Sequence, residues 1–293
     1  MRRNHEPVLA RAVVDEWALA AQIPKPTARG TMLRYSGAHG CFRRMAYDWF
    51  EAEYTSPPTP ASVIQANMGT LFGEAQAAAQ IRRYGGEAER ASQINHWLSG
   101  SADWFGQVPE YGDVVYENKV KSGFAFNKAM GYKRGYGRVS RNGEDGPPLE
   151  AVVQAGMNAI GISMELGRTV EWVIVGVLST DVLSVNEARQ IDATDTERFC
   201  GEWAVPIDVF EPWARREIAR LEEAYEIIDY GNVPPTIAVG DGGVRVELDP
   251  RGNAWQCGYC PYRALCAKDG EGFVPVTQST LVRRPSTTET KEK

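Results

Sequence analysis

The chain has 293 residues, 43% of them hydrophobic, enough for a substantial core built as one large domain or as a domain with appendages. Its formal charge of −6 and pI near 5.3 exclude binding of a polyanion through global charge, so any such binding must be local. No run approaches the roughly 18 apolar residues of a membrane span, and Arg2 and Arg3 followed by Asp15 and Glu16 do not read as a signal peptide. A cytoplasmic location is expected, where five cysteines serve as thiols or metal ligands rather than disulfides.

Taken in order, the pattern predicts a helix from Pro7 to Ala21, closed by Pro24-Lys25-Pro26. A second helix is expected after Ser36 as its N-cap, containing Cys41, Arg43, Arg44 and Tyr47 and ending before Ser56-Pro57-Pro58-Thr59-Pro60. The next helix, over 61–84, carries Met68, Leu71, Phe72, Ala75, Ala78 and Ala79 at helical spacing, which predicts packing against a core with Glu74 beside the buried face. Short β-rich runs follow at Ile94–Leu98, Ser101–Phe105 and Val114–Lys121, separated by turn residues at Gly100, Pro109 and Gly112. Pro147-Pro148 introduce a helix over 149–166, and a buried strand is expected over 171–179. A long charged helix is predicted over 212–230, within a stretch at 181–249 that holds sixteen acids against six arginines and would repel DNA. The order helix–strand–strand–strand–helix–strand implies a mixed sheet flanked by helices. The expected organisation is an N-terminal helical segment over 1–34, a body over 35–276 that includes a cysteine-bearing region at 252–270, and a polar, disordered tail over 277–293.

The chemistry centres on Val114-Val115-Tyr116-Glu117-Asn118-Lys119-Val120-Lys121. Strand alternation sends Val115, Glu117, Lys119 and Lys121 to one face, so an acid and an ammonium line the same edge. The same pattern suits an exposed cross-strand ion pair, and Glu289-Thr290-Lys291 repeats it in the polar tail. Upstream, Ser99-Gly100-Ser101-Ala102-Asp103 sets an aspartate inside an apolar strand, where it needs a partner. Asp103, Glu117 and Glu74 brought together with Lys119 would resist joint ionisation. A divalent cation removes that conflict, and hard oxygen ligands suit Mg²⁺ or Mn²⁺.

Two further features stand out. From Lys119 to Gly143 there are seven basic residues and no acid: Lys119, Lys121, Lys128, Lys133, Arg134, Arg138 and Arg141, interleaved with Phe124, Phe126, Tyr132 and Tyr136. Cations for phosphates and rings for bases make this segment, a mobile loop by its glycines, the expected contact for nucleic acid. Cys257, Cys260 and Cys266 form a C-x2-C-x5-C run, with Cys41 far upstream and Cys200 outside the pattern as a core thiol.

These residues resemble the PD-(D/E)XK nucleases, in particular RecB-like exonucleases and the CRISPR-associated and bacteriophage relatives that carry an iron–sulfur cluster. Asp103 resembles the family aspartate in its Gly-x-x-Asp setting, Glu117-Asn118-Lys119 the Glu-x-Lys motif, and Gln154 the downstream glutamine, although Asn158 replaces the usual aromatic. Gly73 stands where many members have a first-helix histidine, leaving Glu74 as its substitute. The resemblance covers roughly 36–268 and implies a restriction-endonuclease-like mixed sheet flanked by helices, its N- and C-terminal helical segments joined by the cluster. It implies a metal-dependent DNA exonuclease. Asp103, Glu117, Glu74 and the Asn118 carbonyl would hold metal, while Lys119 and Gln154 act on water and phosphate. A [4Fe–4S] cluster on Cys41, Cys257, Cys260 and Cys266 is expected, with zinc as the alternative. Expected partners are DNA, single-stranded or with free ends, and a recombination or CRISPR-adaptation protein. The alternative function is a DNA-binding or adaptor protein that keeps the fold and cluster without cutting.

Overall fold

The computed structural model describes residues 32–56, 60–121, 123–130, 132–133, 140–141, 146–179, 200–234, 257, 260–269 and 274–275. The helix expected over 7–21 and the tail over 277–293 lie outside the described residues. The chain divides into two compact units. One comprises 1–33, 39–67 and 219–293, and the other 34–38 and 68–218.

In chain order the described elements are β1 (Leu33–Arg34), a 3₁₀ turn (Tyr35–Gly37), α1 (Phe42–Trp49), α2 (Pro60–Tyr84), β2 (Glu87–Asn95), β3 (Leu98–Val108) and β4 (Gly112–Lys121). Then come α3 (Gly123–Ala129), β5 (Tyr132–Lys133), β6 (Ser140–Arg141), α4 (Leu149–Leu166), β7 (Trp172–Ser179) and β8 (Cys200–Pro206). The last are α5 (Ile207–Asp229), β9 (Asn232–Val233), α6 (Arg263–Asp269) and β10 (Val274–Pro275).

The larger sheet runs in the order β1-β3-β4-β7-β8, with β2 also paired to β3. Every pairing from β2 to β8 is antiparallel except β4 with β7, which is parallel in the register Val115 with Val173 and Glu117 with Val175. A parallel pair needs a crossover, and α4 supplies it within the β4–β7 connection. This is a mixed α/β fold with a central mixed sheet flanked by helices.

Alternation along β4 sorts its side chains as the sequence predicts. Val115 joins Phe105, Val173, Val175 and Val177 in a core sealed by Ala151, Val152, Ala155, Ala159 and Ile162 of α4. Val114 and Tyr116 join Trp104, Val108 and Ile174 in the other cluster. A Cβ at Gly176 would come 2.2 Å from the Tyr116 hydroxyl, so glycine there lets the tyrosine lie across β7. The Tyr116 hydroxyl donates to Glu202 Oε2 at 2.8 Å, satisfying the buried phenol. α4 ends at Gly167, whose φ of 65° gives the left-handed cap that glycine adopts most readily.

Several expectations are corrected. The second helix starts at Phe42 with Cys41 at its N-cap, and Ser36 belongs to the separate 3₁₀ turn. The apolar stripe of α2 does not pack against a core: Leu71 is 61% and Phe72 42% exposed, while Ala77 is buried. Ala75, Ala78 and Ala79 are also exposed, because a spacing in sequence does not supply a partner surface. The second strand is Glu87–Asn95, and Trp97 sits in the turn after it. Its polar composition hid it from the β-pattern. The basic segment, expected as a mobile loop, is not all loop where it is described. It contains α3 and the β5–β6 hairpin, and Phe126 on α3 is buried in the core rather than available for stacking.

Candidate active site

β3 and β4 deliver the acids. Their ladder runs from Val108 opposite Gly112 to Trp104 opposite Tyr116. One step further, Asp103 takes over from the backbone: Asn118 N–H donates to Asp103 Oδ2 at 2.6 Å. Asp103 is therefore held beside Glu117 by its neighbour's amide. Glu117 is 1% exposed, and its Oε1 accepts from Lys119 Nζ at 2.6 Å. Lys119 Nζ also donates to Gln154 Oε1 on α4 at 3.0 Å, so helix and strand fix one ammonium between them. Glu117 Oε2 is buried and has no hydrogen-bond partner.

The electrostatics follow from this geometry. Burial pushes the Glu117 carboxyl up to about 8; Lys119 pulls it back, while Asp103 and Glu89 push it further. Burial also raises Asp103, against the Asn118 amide and Lys119, with Glu89 again adding repulsion. Desolvation outweighs the ion pair at Glu117 because one ammonium, itself 22% exposed, cannot compensate both oxygens of a fully buried carboxylate. Further along the same face Lys121 Nζ donates to Glu150 Oε1 at 3.2 Å. Burial raises Glu150, but its own backbone N–H, Lys121 and Lys119 together hold it below the usual range.

The structure thus brings together Asp103, Glu117, Lys119 and Gln154, four of the residues singled out in the sequence. It does not bring Glu74 to them. Glu74 is exposed on α2, and no described hydrogen bond or ion pair joins it to Asp103, Glu117 or Lys119. Of the expected DNA contacts, Arg134, Arg138 and Tyr136 lie outside the described residues, as do the side chains of Lys128, Tyr132, Lys133 and Arg141.

Two residues carry parts that the sequence did not reveal. Asn158 is fully buried, accepts from Ser92 Oγ at 2.9 Å and donates to the Ser101 carbonyl at 3.0 Å. It pins α4 to β2 and to the segment carrying Asp103, at the position where an aromatic was expected. Glu89 is the second, recognised by its effect on the half-buried Asp103 and the buried Glu117. A lone acid in a polar stretch gives no sequence signal.

The cysteines belong to the other unit. Cys41 raises the thiols of Cys257, Cys260 and Cys266 there, in each case after burial as the larger cause, and Cys266 is also acted on by Cys257 and by Arg43. Arg43, 1% exposed, points Nη1 at Cys266 Sγ at 4.0 Å and donates from Nε to the Pro234 carbonyl at 2.7 Å. The C-terminal segment is tied to α1 by hydrogen bonds and ring packing. Tyr262 donates to Asp48 at 2.6 Å, Tyr47 donates to Asp269 at 2.9 Å, and the two rings lie 5.2 Å apart. Among the described residues no group of three or more His, Cys, Asp or Glu side chains is arranged to hold a single metal ion. Cys200 is half-buried at the start of β8. Among the described residues, no helix is long and apolar enough to cross a membrane.

No protein-family model matches the chain, and no curated protein matches it. Among solved structures it is similar to the crystal structure of SSO0001, at 13% identity and a TM-score of 0.49, with 89% of this chain and 97% of that one covered. It is also similar to the crystal structure of an alkaline exonuclease, LHK-Exo, from Laribacter hongkongensis. That likeness is at 12% identity and a TM-score of 0.38, with 73% of this chain and 96% of that one covered. The functional reading therefore rests on the geometry of the site itself.

Proposed function

We propose that this chain is a metal-dependent nuclease of the PD-(D/E)XK type that hydrolyses phosphodiester bonds of DNA, acting exonucleolytically at ends or in single strands. The observation that carries the reading is the condition of Glu117. A fully buried carboxylate has one oxygen on Lys119, the other without a partner, and Asp103 alongside. Burying such a charge uncompensated is costly, and a hard divalent cation supplies the missing compensation.

Asp103, Glu117 and the Asn118 carbonyl would hold Mg²⁺ or Mn²⁺. Such a cation, when bound, activates water and neutralises charge on the phosphate. Lys119, fixed by Glu117 and Gln154, orients the attacking water and offsets the charge that develops on the phosphate oxygens. Gln154 gives the ammonium a second acceptor beside Glu117. Lys121 and the basic segment beyond it, with Lys128, Lys133, Arg134, Arg138, Arg141, Tyr132 and Tyr136, would track the DNA backbone and bases leading to this edge. Recombination, repair or phage DNA metabolism is the setting such an activity serves.

The four cysteines support a separate proposal, a [4Fe–4S] cluster on Cys41, Cys257, Cys260 and Cys266. Cys41 lies close enough to Cys257, Cys260 and Cys266 for its charge to be felt at each of their thiols, which groups the four sulfurs in one region. Arg43 beside Cys266 supplies the cationic partner that tunes such sulfurs.

Incubation of the protein with 5′- and 3′-labelled single and double strands in Mg²⁺ or Mn²⁺ tests the nuclease reading. Progressive shortening from an end is expected, and absence of any cleavage alongside retained DNA binding would favour the non-cutting alternative.

A further inference from the structure

Glu89 occupies an unusual place. The β2–β3 ladder pairs Ala88 with Trp104 and Arg90 with Ala102, so Glu89 stands directly opposite Asp103. Asp103 in turn precedes the last paired residue of β3 as Glu117 follows that of β4. Glu89, Asp103 and Glu117 therefore form a row across three adjacent strands, its outer members roughly 10 Å apart at the backbone from the usual strand spacing. Glu89 also has φ of 50°, a left-handed conformation rarely taken by a non-glycine residue inside a strand. Its carboxylate is held by Ser101, whose Oγ donates to Oε2 at 3.0 Å. Both Asp103 and Glu117 feel its charge.

Like charges in a row are unfavourable unless something cationic joins them. Lys119 is committed to the Glu117 and Gln154 side of the row, and the buried Glu117 Oε2 has no partner. The three acids do not already converge on one point. The member with room to move is the one whose side chain is exposed, Glu89, which would have to leave Ser101 to share a cation with the other two.

We infer that Glu89 is the third carboxylate of the Asp103–Glu117 cation site, filling the role that the sequence assigned to Glu74. The inference rests on the hydrolytic reading of that site. It assigns β2 a functional part.

Mn²⁺ binding, followed by calorimetry or by the EPR signal of the free ion without any DNA, tests it. E89Q and D103N should each weaken Mn²⁺ binding by at least about tenfold, a loss typical of removing a group that supports a metal site. E74Q should bind like the unaltered protein. E89N, which accepts positive φ readily, should match E89Q in binding and melt no lower than the unaltered protein in EDTA. Weakening by D103N with wild-type affinity in E89Q and E89N would overturn the role of Glu89 while leaving the cation site in place. Weakening by E74Q instead of E89Q would likewise overturn it. Unchanged affinity in D103N would remove the cation site, and with it the hydrolytic reading.

Discussion

Replacing Glu117 by glutamine should stabilise the metal-free protein, and more so as pH rises. In the folded chain burial lifts this carboxyl from 4.5 to about 8. Between those values the native state holds a proton that the unfolded chain has released, so raising the pH across that window lowers stability. At roughly 1.4 kcal/mol per unit, the loss contributed by Glu117 approaches about 5 kcal/mol once the pH passes the folded value. Glutamine keeps the shape, accepts from Lys119 and never ionises. In EDTA the two proteins should melt within about 2 °C of each other at pH 5, whereas at pH 8.5 E117Q should melt about 5–10 °C higher. The raised Asp103 has the same sign and is present in both proteins, so the comparison reads Glu117 together with its repulsion of Asp103. Saturating Mn²⁺ should restore much of the unaltered protein at high pH, by about 3 kcal/mol at a hundred times its dissociation constant, and do little for E117Q. Differential scanning fluorimetry from pH 5 to 9 reads all of this. A melting difference between the two proteins that stays constant across that range would refute the claim that a buried, undercompensated Glu117 lies at the centre of the site.

Two other outcomes follow from the packing. Asn158→Ala strips partners from the Ser92 hydroxyl and the Ser101 carbonyl and should cost about 2–3 kcal/mol in urea unfolding, with a further loss of Mn²⁺ affinity as the Asp103 segment loosens. Anaerobically purified protein should be brown and carry iron, and Cys260→Ser should bleach it. The protein should nevertheless stay folded at room temperature, because Tyr262, Pro261 and Asp269 independently bind the C-terminal segment to α1 and the residues after it; stoichiometric zinc without iron would refute the cluster.

How much was legible in advance depended on whether the signal was local. β4 announced itself because alternation sorted Val114 and Tyr116 from Val115 and Glu117, and both faces found cores. α4 was bounded by Pro147-Pro148 and an apolar periodicity, and it begins and ends where the pattern said. The convergence of Asp103, Glu117 and Lys119 was legible through spacing and order, and Gln154 was expected beside them from the family resemblance alone. β2 was not, because Glu87, Arg90 and Gln93 make a polar strand with no apolar period. The position of Glu89 opposite Asp103 depends on β2–β3 register, which no window of sequence contains. The α2 stripe erred the other way: helical spacing of Leu71, Phe72 and the alanines shows that a face exists, and only tertiary structure shows whether anything covers it. Phe126 was placed with the nucleic-acid contacts by its basic neighbours, although its own side chain closes the sheet core.

The central claim is that Asp103, Glu117 and Lys119 form a cation-dependent hydrolytic site. Its most direct test is the release of nucleotides from an end-labelled single strand in Mn²⁺, with Lys119→Met compared with the unaltered protein. Lysine 119 is partly exposed, so its loss should leave the circular dichroism spectrum unchanged. Nucleotide release should fall by three orders of magnitude or more, about 4 kcal/mol of transition-state stabilisation, and EDTA should abolish it in the unaltered protein. Release by Lys119→Met at an undiminished rate, or release that persists in EDTA, would contradict the account.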